Sequence, residues 1–370
     1  MTHPHPAKSK LKVAVIGHLR HPIAEPFMGG MEAHCALLVR TLAANGHDVT
    51  LFASGDSDPG LALHAIAPRS YEVDMPWAHW HGTPELIGWL ADAYAAAWEA
   101  ITAQGFDVVH NNSLFAGLHD WAAEDRVPMV TSLHVPPFQI LRDAVARNDA
   151  PWLRLTVTSA NQLPLWSGVA DGRKSIAYNG IDLARFRFSP EGGTRALWCG
   201  RITPNKGTVE ALRAASAAGI GLDIAGPVDC SDYFAQVAPL ITGEHRYLGH
   251  LSADALAERM GQAGVMLCTP RWDEPFGLVA AEAMACGTPV AALDRGALRE
   301  VIGECGVLAA DEAGLAEAIG KARAIPRLAC RERVERLFGA DAMLSRYEES
   351  YRTAIAGASS SIASTRAVLA

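Results

Sequence analysis

Short apolar runs alternate with helix-like segments along almost the whole chain, and this alternation limits the folds open to it. Two examples are KVAVIG at 12–17 and DVTLFAS at 48–54. Runs of this kind without alternating polar residues predict strands that are covered on both faces. Continuous buried strands joined by helices are typical of a parallel sheet, so we expect an α/β fold.

The pattern occurs twice, and the polar segment SPEGGT at 189–194 lies between the two occurrences. In the first, a helix near 30–45 accompanies the predicted strands 12–17, 48–54, 107–110 and 128–134. The second has predicted strands at 195–200, 222–226, 245–250, 265–270 and 289–293. We therefore predict two doubly wound, Rossmann-like domains facing a central cleft, with ligands at the carboxyl ends of the strands. Their predicted bounds are 1–188 and 189–340, followed at 341–370 by a terminal helix, predicted to 356, and a flexible tail.

Composition agrees with a globular protein of about two domains, because the chain has 370 residues, 49% hydrophobic and 19% charged. The net charge of −8 argues against nucleic acid as a partner. The seven cysteines form no C-x-x-C pair, and the polar start MTHPHPAKSK is unlike a signal peptide, which together predict a cytoplasmic protein. The most apolar window, 276–293, contains Glu282, Gly and Pro, so no transmembrane helix is expected.

Several polar or glycine residues follow the predicted strands directly. Gly29 and Gly30 lie between the first strand and the first helix, His134 ends the fourth strand, and Arg201 and Lys206 follow the strand at 195–200. The carboxyl ends of parallel strands meet at one edge of a sheet. These residues are therefore predicted to face one crevice.

The segment EPFGLVAAEAMACGTPV at 274–290 carries the most specific signal for function. Its carboxylates Glu274 and Glu282 bracket a turn at Gly277 and the start of a predicted helix. The amides of Gly277 and Leu278 at that helix start would attract a phosphate. At about 1.5 Å rise per residue, Glu282 lies roughly 7 Å further along the helix than Gly277. That spacing suits a ligand with a phosphate or sugar at one end and a ribose at the other.

The residue types suit a nucleotide-sugar. Arg201 and Lys206 can neutralise the charge that a nucleotide diphosphate gathers as its bond to a sugar breaks. Glu282 can accept hydrogen bonds from the two ribose hydroxyls, and Glu274 from sugar hydroxyls. His134 can contact the sugar or orient an acceptor.

The segment 274–290, with its E-x7-E spacing, resembles the donor-site signature of retaining glycosyltransferases of family 4, which have the GT-B fold. GRITPNKG at 200–207 resembles the family's G-R-x-x-x-x-K-G segment, and YNGID at 178–182 its N-G-[VI]-D segment. Weaker amino-terminal matches follow the family's order at Gly29–Glu32, 107–110 and 133–134. YLGHLSADAL at 247–256 resembles the family's segment whose backbone lies near the nucleotide base. The resemblance covers roughly residues 12–355.

This resemblance implies a GT-B fold with a C-terminal helix that crosses back to the first domain. It also implies transfer of a sugar from a UDP- or GDP-sugar to a hydroxyl acceptor with retention at the anomeric carbon, the leaving phosphate taking the acceptor's proton. His134, Arg201, Lys206 and Glu274 are the implied catalytic residues. The implied donor-binding residues are Gly29, Gly30, Gly249, Phe276, Gly277, Leu278 and Glu282.

The acceptor side is less specified. His110, Asn111 and Asn112 end another predicted strand, where they can reach an acceptor. Trp77 and Trp80 have two interpretations, a platform for an acceptor sugar or a partly buried loop.

No metal or other cofactor is expected. Asp56-Ser57-Asp58 spells D-x-D, but its neighbours Gly, Pro and Ser indicate turn chemistry. His79 and His81 have no Cys or carboxylate partner at zinc-ligand spacing.

Two alternatives remain at this stage. The chain can be another GT-B enzyme, such as a nucleotide-sugar epimerase or a phosphorylase, or it can bind a nucleotide-sugar without catalysis. The expected partners are the donor and a hydroxyl acceptor. A lipid acceptor would bring the protein to the inner face of the membrane as a peripheral protein.

Overall fold

The first half of the chain forms a seven-stranded parallel sheet. The computed structural model describes residues 10–368, and the side chains of residues 10–360. The strands are β1 (Lys12–Ile16), β2 (Asp48–Ser54), β3 (Leu63–Ala67), β4 (Val108–Asn111), β5 (Met129–Leu133), β6 (Leu153–Val157) and β7 (Lys174–Ile176). Their spatial order is β3-β2-β1-β4-β5-β6-β7.

The second half forms a six-stranded parallel sheet. Its strands are β8 (Ala196–Cys199), β9 (Leu222–Ala225), β10 (Arg246–Tyr247), β11 (Val265–Cys268), β12 (Val290–Leu293) and β13 (Gly306–Ala309). The spatial order is β10-β9-β8-β11-β12-β13, so the chain passes through both sheets with the same reversal of direction beside the first strand. Residues 177–195 connect the sheets, and the predicted boundary at 188 falls within this connection.

Helices join the strands. They are α1 (Gly30–Ala44), α2 (Trp77–Trp80), α3 (Pro84–Gln104), α4 (Gly117–Glu124), α5 (Gln139–Arg147), α6 (Thr208–Ala217), α7 (Ser231–Val237), α8 (Ala253–Gln262), α9 (Leu278–Ala285), α10 (Leu298–Ile302), α11 (Glu312–Ala322), α12 (Arg327–Leu337) and α13 (Ala340–Val368). Side-chain caps fix several of their starts: Ser252 accepts from the Ala255 amide, and Asp311 from the Gly314 amide.

Strand β1 shows why its sequence has no polar alternation. Val13 and Val15 lie in one buried cluster with α1 and α13, whereas Ala14 and Ile16 lie in a second cluster with α3 and α4. Successive side chains of a strand point to opposite faces, so both faces of the sheet are covered. The predicted doubly wound architecture is confirmed in both halves.

The last helix, α13, returns to the first domain. Met343, Leu344, Tyr347 and Tyr351 are buried in the same cluster as β1 and α1. The predicted crossing helix is therefore confirmed. It is longer than predicted, because helix continues past residue 356 to Val368 where a flexible tail was expected. Residues 369–370 lie outside the described part of the chain.

The sequence-based strand assignments were incomplete. Strands β3, β6, β7 and β13 were not predicted, and the predicted strand 245–250 contains only the two-residue β10. The short strand β7, for example, is KSI and lies at the edge of its sheet, where the chain needs no long apolar run.

All seven cysteines are free. Within residues 10–368, no helix combines the length and apolar character that a membrane span requires.

Candidate functional site

A cleft of about 800 Å³ lies between the two sheets, and residues of both domains line it. Most of the predicted site residues meet here although they come from distant parts of the sequence. Those that line the cleft are Gly29, Gly30, His134, Arg201, Lys206, Glu274, Phe276, Gly277, Leu278 and Glu282.

The C-terminal face of the cleft carries a compact charged group. Lys206 Nζ donates to both carboxylate oxygens of Glu274, at 2.9 and 3.1 Å. Trp272 Nε1 donates to Glu274 Oε2 at 2.9 Å, and Lys206 Nζ lies 5.2 Å from the centre of the Trp272 ring. The side chains of Lys206 and Glu274 therefore form an ion pair in this structure. The sequence analysis had assigned each of them a separate contact with the ligand.

Arg201 is the second cation of this face. Its Nη1 donates to Asp229 Oδ2 at 2.8 Å. The pair holds the guanidinium after β8 at the cleft, where its remaining N–H groups are available to a ligand, because a guanidinium carries five donors. Neither Asp229 nor Trp272 was predicted from the sequence.

Gly277 sets the start of α9. Its φ of 91° lies in the left-handed region, and a Cβ there would lie 2.6 Å from Leu298 Cδ2, so a larger residue would be strained and would clash. As the N-cap residue, Gly277 turns the chain so that the first helical amides, which have no partner within the helix, open at the cleft. The helix start is thus built to receive negative charge.

Glu282 lies one helical turn further along α9, and its side chain is half-buried at the cleft. Burial raises the pKa of its carboxyl to about 7, because the charged form is poorly solvated there. In the described part of the chain, no hydrogen bond or ion pair joins the side-chain carboxylate of Glu282 to another residue. The carboxylate therefore has unused acceptor capacity that faces the cavity.

The two domains approach each other closely at the floor of the cleft. A Cβ on Gly30, at the start of α1, would lie 2.7 Å from Leu278 Cδ1 of the other domain. Contacts of ordinary side chains are never that short, so Gly30 permits this approach. It brings the starts of α1 and α9 to opposite sides of one narrow space.

His134 faces the cavity from the N-terminal domain, immediately after β5. Its Nε2 lies 2.8 Å from Asn112 Oδ1. An amide oxygen only accepts, so Nε2 carries the proton and Nδ1 carries the lone pair. Burial lowers the pKa of His134 to about 4, which keeps the ring neutral at pH 7.

Asn112 and His110 lie beneath His134 rather than on the cleft. Asn112 Oδ1 also lies 3.2 Å from His110 Nε2, and His110 Nδ1 lies 2.7 Å from Tyr351 Oη on α13. Burial lowers the pKa of His110 to about 3, so this ring is neutral too. A buried chain of hydrogen bonds therefore links the crossing helix to His134.

The predicted acceptor residues are thus placed differently from the expectation. His110, Asn111 and Asn112 are fully buried, and none of them lines the cavity. Asn111 Oδ1 accepts from the Ser113 amide and hydroxyl, at 2.9 and 2.6 Å. At this strand end the side chains point into the domain. There Asn111 binds Ser113 and Asn112 binds His134, and none of the three side chains reaches the cleft.

Gly249 also lies off the cavity wall. Its carbonyl accepts from the Gly226 amide at 2.9 Å, and its neighbours His250 and Leu251 line the cleft. The segment 247–256 therefore reaches the cleft, but its residues that line the cavity are ones that follow Gly249.

The D-x-D segment is a turn. Asp56 accepts hydrogen bonds from Ser70, and Asp58 caps the following turn by accepting from the Gly60 amide at 2.9 Å. Across the described residues, no three His, Cys, Asp or Glu side chains converge as a metal-ion site.

The two tryptophans of α2 lie in different environments. Trp77 is 42% exposed and lines the cleft, whereas Trp80 packs against the core of the N-terminal domain. Nothing in the spacing of the two residues distinguishes them, because α2 is a single turn and its orientation depends on the surrounding loops.

Two family models match the chain. One is described as Glycosyltransferase Family 4 and matches residues 28–185, and the other as Glycosyl transferases group 1 and matches residues 193–323. A D-inositol 3-phosphate glycosyltransferase of Streptosporangium roseum is 27% identical over 365 residues, covering 80% of this chain and 81% of that protein.

Solved structures show the same architecture. Sucrose-phosphate synthase from Thermosynechococcus elongatus has a TM-score of 0.76 at 21% identity, covering 94% of this chain and 100% of that one. Anabaena HepE, solved with UDP-glucose, has a TM-score of 0.72 at 18% identity, covering 93% of this chain and 100% of that one. At these identities the likeness establishes the fold, which is GT-B.

Proposed function

The chain belongs to glycosyltransferase family 4 and is a glycosyltransferase, and we propose that it moves a sugar from a UDP- or GDP-sugar to a hydroxyl acceptor with retention at the anomeric carbon. One observation carries the proposal. Arg201, Lys206 and the start of α9 converge on the cleft opposite a neutral His134. Anion-binding groups on one wall and an uncharged, oriented imidazole on the other suit a diphosphate leaving group with its sugar between them.

The spacing along α9 supports a nucleotide-sugar donor. The amides at Gly277 and Leu278 receive phosphate or sugar oxygens, and Glu282, with its unused acceptor capacity, receives the two ribose hydroxyls. Lys206 and Arg201 neutralise the diphosphate. Anabaena HepE, which has the same fold, was solved with UDP-glucose, and this supports a donor of that class.

The Lys206–Glu274 pair has a second consequence. With a donor bound, Lys206 turns toward the diphosphate, and Glu274 stays anchored by Trp272 Nε1. The carboxylate then accepts hydrogen bonds from sugar hydroxyls. Its role is to hold the sugar, and it acts as neither the acid nor the base of the reaction.

In the proposed reaction, the acceptor oxygen forms a bond to the anomeric carbon on the face that the diphosphate leaves. The bond between that carbon and the phosphate oxygen breaks, its electron pair goes to phosphate, and the acceptor's proton passes to the same phosphate. His134, whose Nδ1 carries the lone pair, positions the sugar. Closure of the cleft around the donor keeps water out.

We also propose that no metal ion takes part, because Arg201 and Lys206 supply two fixed positive charges where other glycosyltransferases place a cation. EDTA is then expected to leave the rate of transfer unchanged. A loss of activity that Mg²⁺ or Mn²⁺ restores would contradict this part of the proposal.

A thermal-shift panel of UDP-, GDP- and ADP-sugars tests donor binding first, since a ligand of the folded state raises the melting temperature. NMR of the product formed from the stabilising donor then gives the anomeric configuration. We expect one UDP- or GDP-sugar to stabilise the protein and the product to keep the donor's configuration. Stabilisation by none of them, or an inverted product, would overturn the proposal.

A further inference from the structure

The N-terminal face of the cleft is largely apolar, whereas the C-terminal face carries charged side chains. Around His134 it is formed by half-exposed apolar side chains. They are Phe27, Met28, Trp77, Leu114, Val135 and Phe138. Of these, Phe27 and Leu114 also pack against the core of the domain. Trp77 and Phe138 are 42% and 43% exposed, which is high for aromatic rings inside a cleft. This apolar acceptor face, as we name it, gains stability only when something covers it.

The guanidinium of Arg20 on this face already has an ion-pair partner. Arg20 Nε and Nη2 donate to the Glu72 carboxylate at 2.8 and 3.3 Å, and the guanidinium lies 5.5 Å from the centre of the Trp77 ring. Of the cleft-lining residues described in the N-terminal domain, Arg20 is the single Lys or Arg. Its charge is therefore balanced before any ligand arrives.

The other titratable groups do not add positive charge. Burial lowers the pKa of His18 to about 4 and also lowers the pKa of His21. Glu32, which lines the same face, is a buried carboxyl whose pKa burial raises. An anionic acceptor would thus meet neutral imidazoles and a carboxyl, with no unpaired cation to replace its hydration.

From the exposed aromatic side chains and the balanced charge, we propose that the acceptor face binds an uncharged hydroxyl compound with an aryl or alkyl part beside the reacting hydroxyl. We expect phosphorylated polyols to be poorer acceptors, because the described N-terminal face offers an anion a single Arg, already paired with Glu72, beside a buried carboxyl. The S. roseum relative is named for D-inositol 3-phosphate, so this chain differs from that relative in acceptor class. The inference rests on the proposed transfer reaction and specifies its second substrate.

The first experiment measures release of nucleotide diphosphate from the donor that stabilises the protein. Octyl and 4-nitrophenyl glucosides are compared with glucose 6-phosphate and inositol phosphate. We expect kcat/KM to be at least about tenfold higher for the glucosides, since covering one aromatic side chain contributes on the order of that factor. Equal or better use of the phosphorylated compounds, or no release above hydrolysis with the glucosides, overturns the inference.

The second experiment locates the site. Trp77→Ala and Phe138→Ala are each expected to raise KM for the glucosides about tenfold and to leave donor affinity unchanged. The matched control is Ile140→Ala, which removes an apolar side chain that is 66% exposed and lies off the cleft. Equal KM values in Trp77→Ala, Phe138→Ala and the control would overturn the placement.

The two proposals fail in different ways. If no nucleotide-sugar stabilises the protein, the proposed transfer reaction fails. If a donor binds and phosphorylated acceptors are preferred, the transfer reaction stands and only the acceptor class is wrong.

Discussion

The two faces of the cleft use opposite chemistry. The C-terminal face holds Arg201, Lys206, Glu274 and Glu282, all supplied by two short segments that follow β8 and β11. The N-terminal face around His134 is neutral and apolar, and its members come from loops spread over the whole first domain. A charged C-terminal face built from two short segments lies opposite an apolar N-terminal face assembled from several loops.

The difference matches the two substrates of a transferase. The UDP- and GDP-sugars that we propose as donors share a diphosphate and a ribose, so their site can be encoded in a fixed local motif. The acceptor varies between enzymes of one fold, and a wall made of separate loops can change residue by residue without disturbing the donor site.

The largest expected effect comes from the charged wall. Lys206→Ala removes one of the two cations that we propose neutralise the leaving diphosphate, and kcat is expected to fall about a thousandfold. Steady-state nucleotide release checks this. Lys321→Ala is the control, because it removes an exposed lysine from an ion pair with Glu317 on α11. Full activity in Lys206→Ala would remove the basis of the comparison.

On the N-terminal face, a change in the orientation of His134 is expected to lower the rate of transfer. Asn112→Ala removes the 2.8 Å hydrogen bond to its Nε2, and kcat is expected to fall about tenfold to a hundredfold, since small misplacements are costly. Donor affinity should stay unchanged. Asn111→Ala, a neighbouring buried amide without a contact to His134, is the control.

A charge-changing variant separates orientation from general destabilisation. In Asn112→Asp, the new carboxylate beside two imidazoles is expected to raise the pKa of His134 above its value of about 4. The acid limb of the pH–rate profile should then move to higher pH. A profile identical to that of the unaltered protein would show that Asn112 does not act through His134.

A smaller effect is expected from Glu282. Its pKa is about 7 because burial disfavours the charged form, and the ionised carboxylate is the better acceptor for ribose hydroxyls. Donor affinity should therefore rise with pH, about tenfold between about pH 6 and about pH 8 if only the ionised form binds. Calorimetry with the nucleotide-sugar measures this. Glu282→Gln should flatten the dependence, and an unchanged slope would contradict the assignment.

The smallest expected effect is on the free energy of unfolding of the N-terminal domain. Burial lowers the pKa of His119 to about 4, below the ordinary value of about 6.5, so the unfolded chain binds more protons between these values. Unfolding free energy therefore falls as pH falls through this window. His119→Leu should reduce that slope by about 1.4 kcal/mol per pH unit, measured by urea titration. Met129→Leu, a buried change without a titrating group, should leave it intact.

Much of the fold was predictable from local pattern. Apolar runs such as 12–17 and 265–270 coincide with β1 and β11, because a strand covered on both faces must be apolar throughout. Strand β6 was missed because LRLTV contains Arg154 and Thr156, which break the apolar run. Strand β13, GVLA, is a short edge strand with half-buried residues.

The site divides in the same way. That the segment 274–290 reaches the C-terminal face of the cleft was predictable, because a helix start, two carboxylates and a fixed spacing lie within it. His110, Asn111 and Asn112 were placed at the correct strand end, but whether a side chain at that end faces the cleft or the interior depends on what packs behind it. Here α13 packs behind it, and Tyr351 takes His110 as its partner.

The sequence by itself determined the parallel α/β architecture, the order of the strand ends and the residues after β8 and β11 that reach the cleft, because these depend on periodicity and spacing over a few turns of chain. The tertiary structure decided which of those residues are paired or buried. It joined Lys206 to Glu274, balanced Arg20 with Glu72, turned Asn112 inward and left Trp77 open to the cleft. Each of these outcomes depends on contacts between segments that are adjacent only after the chain has folded.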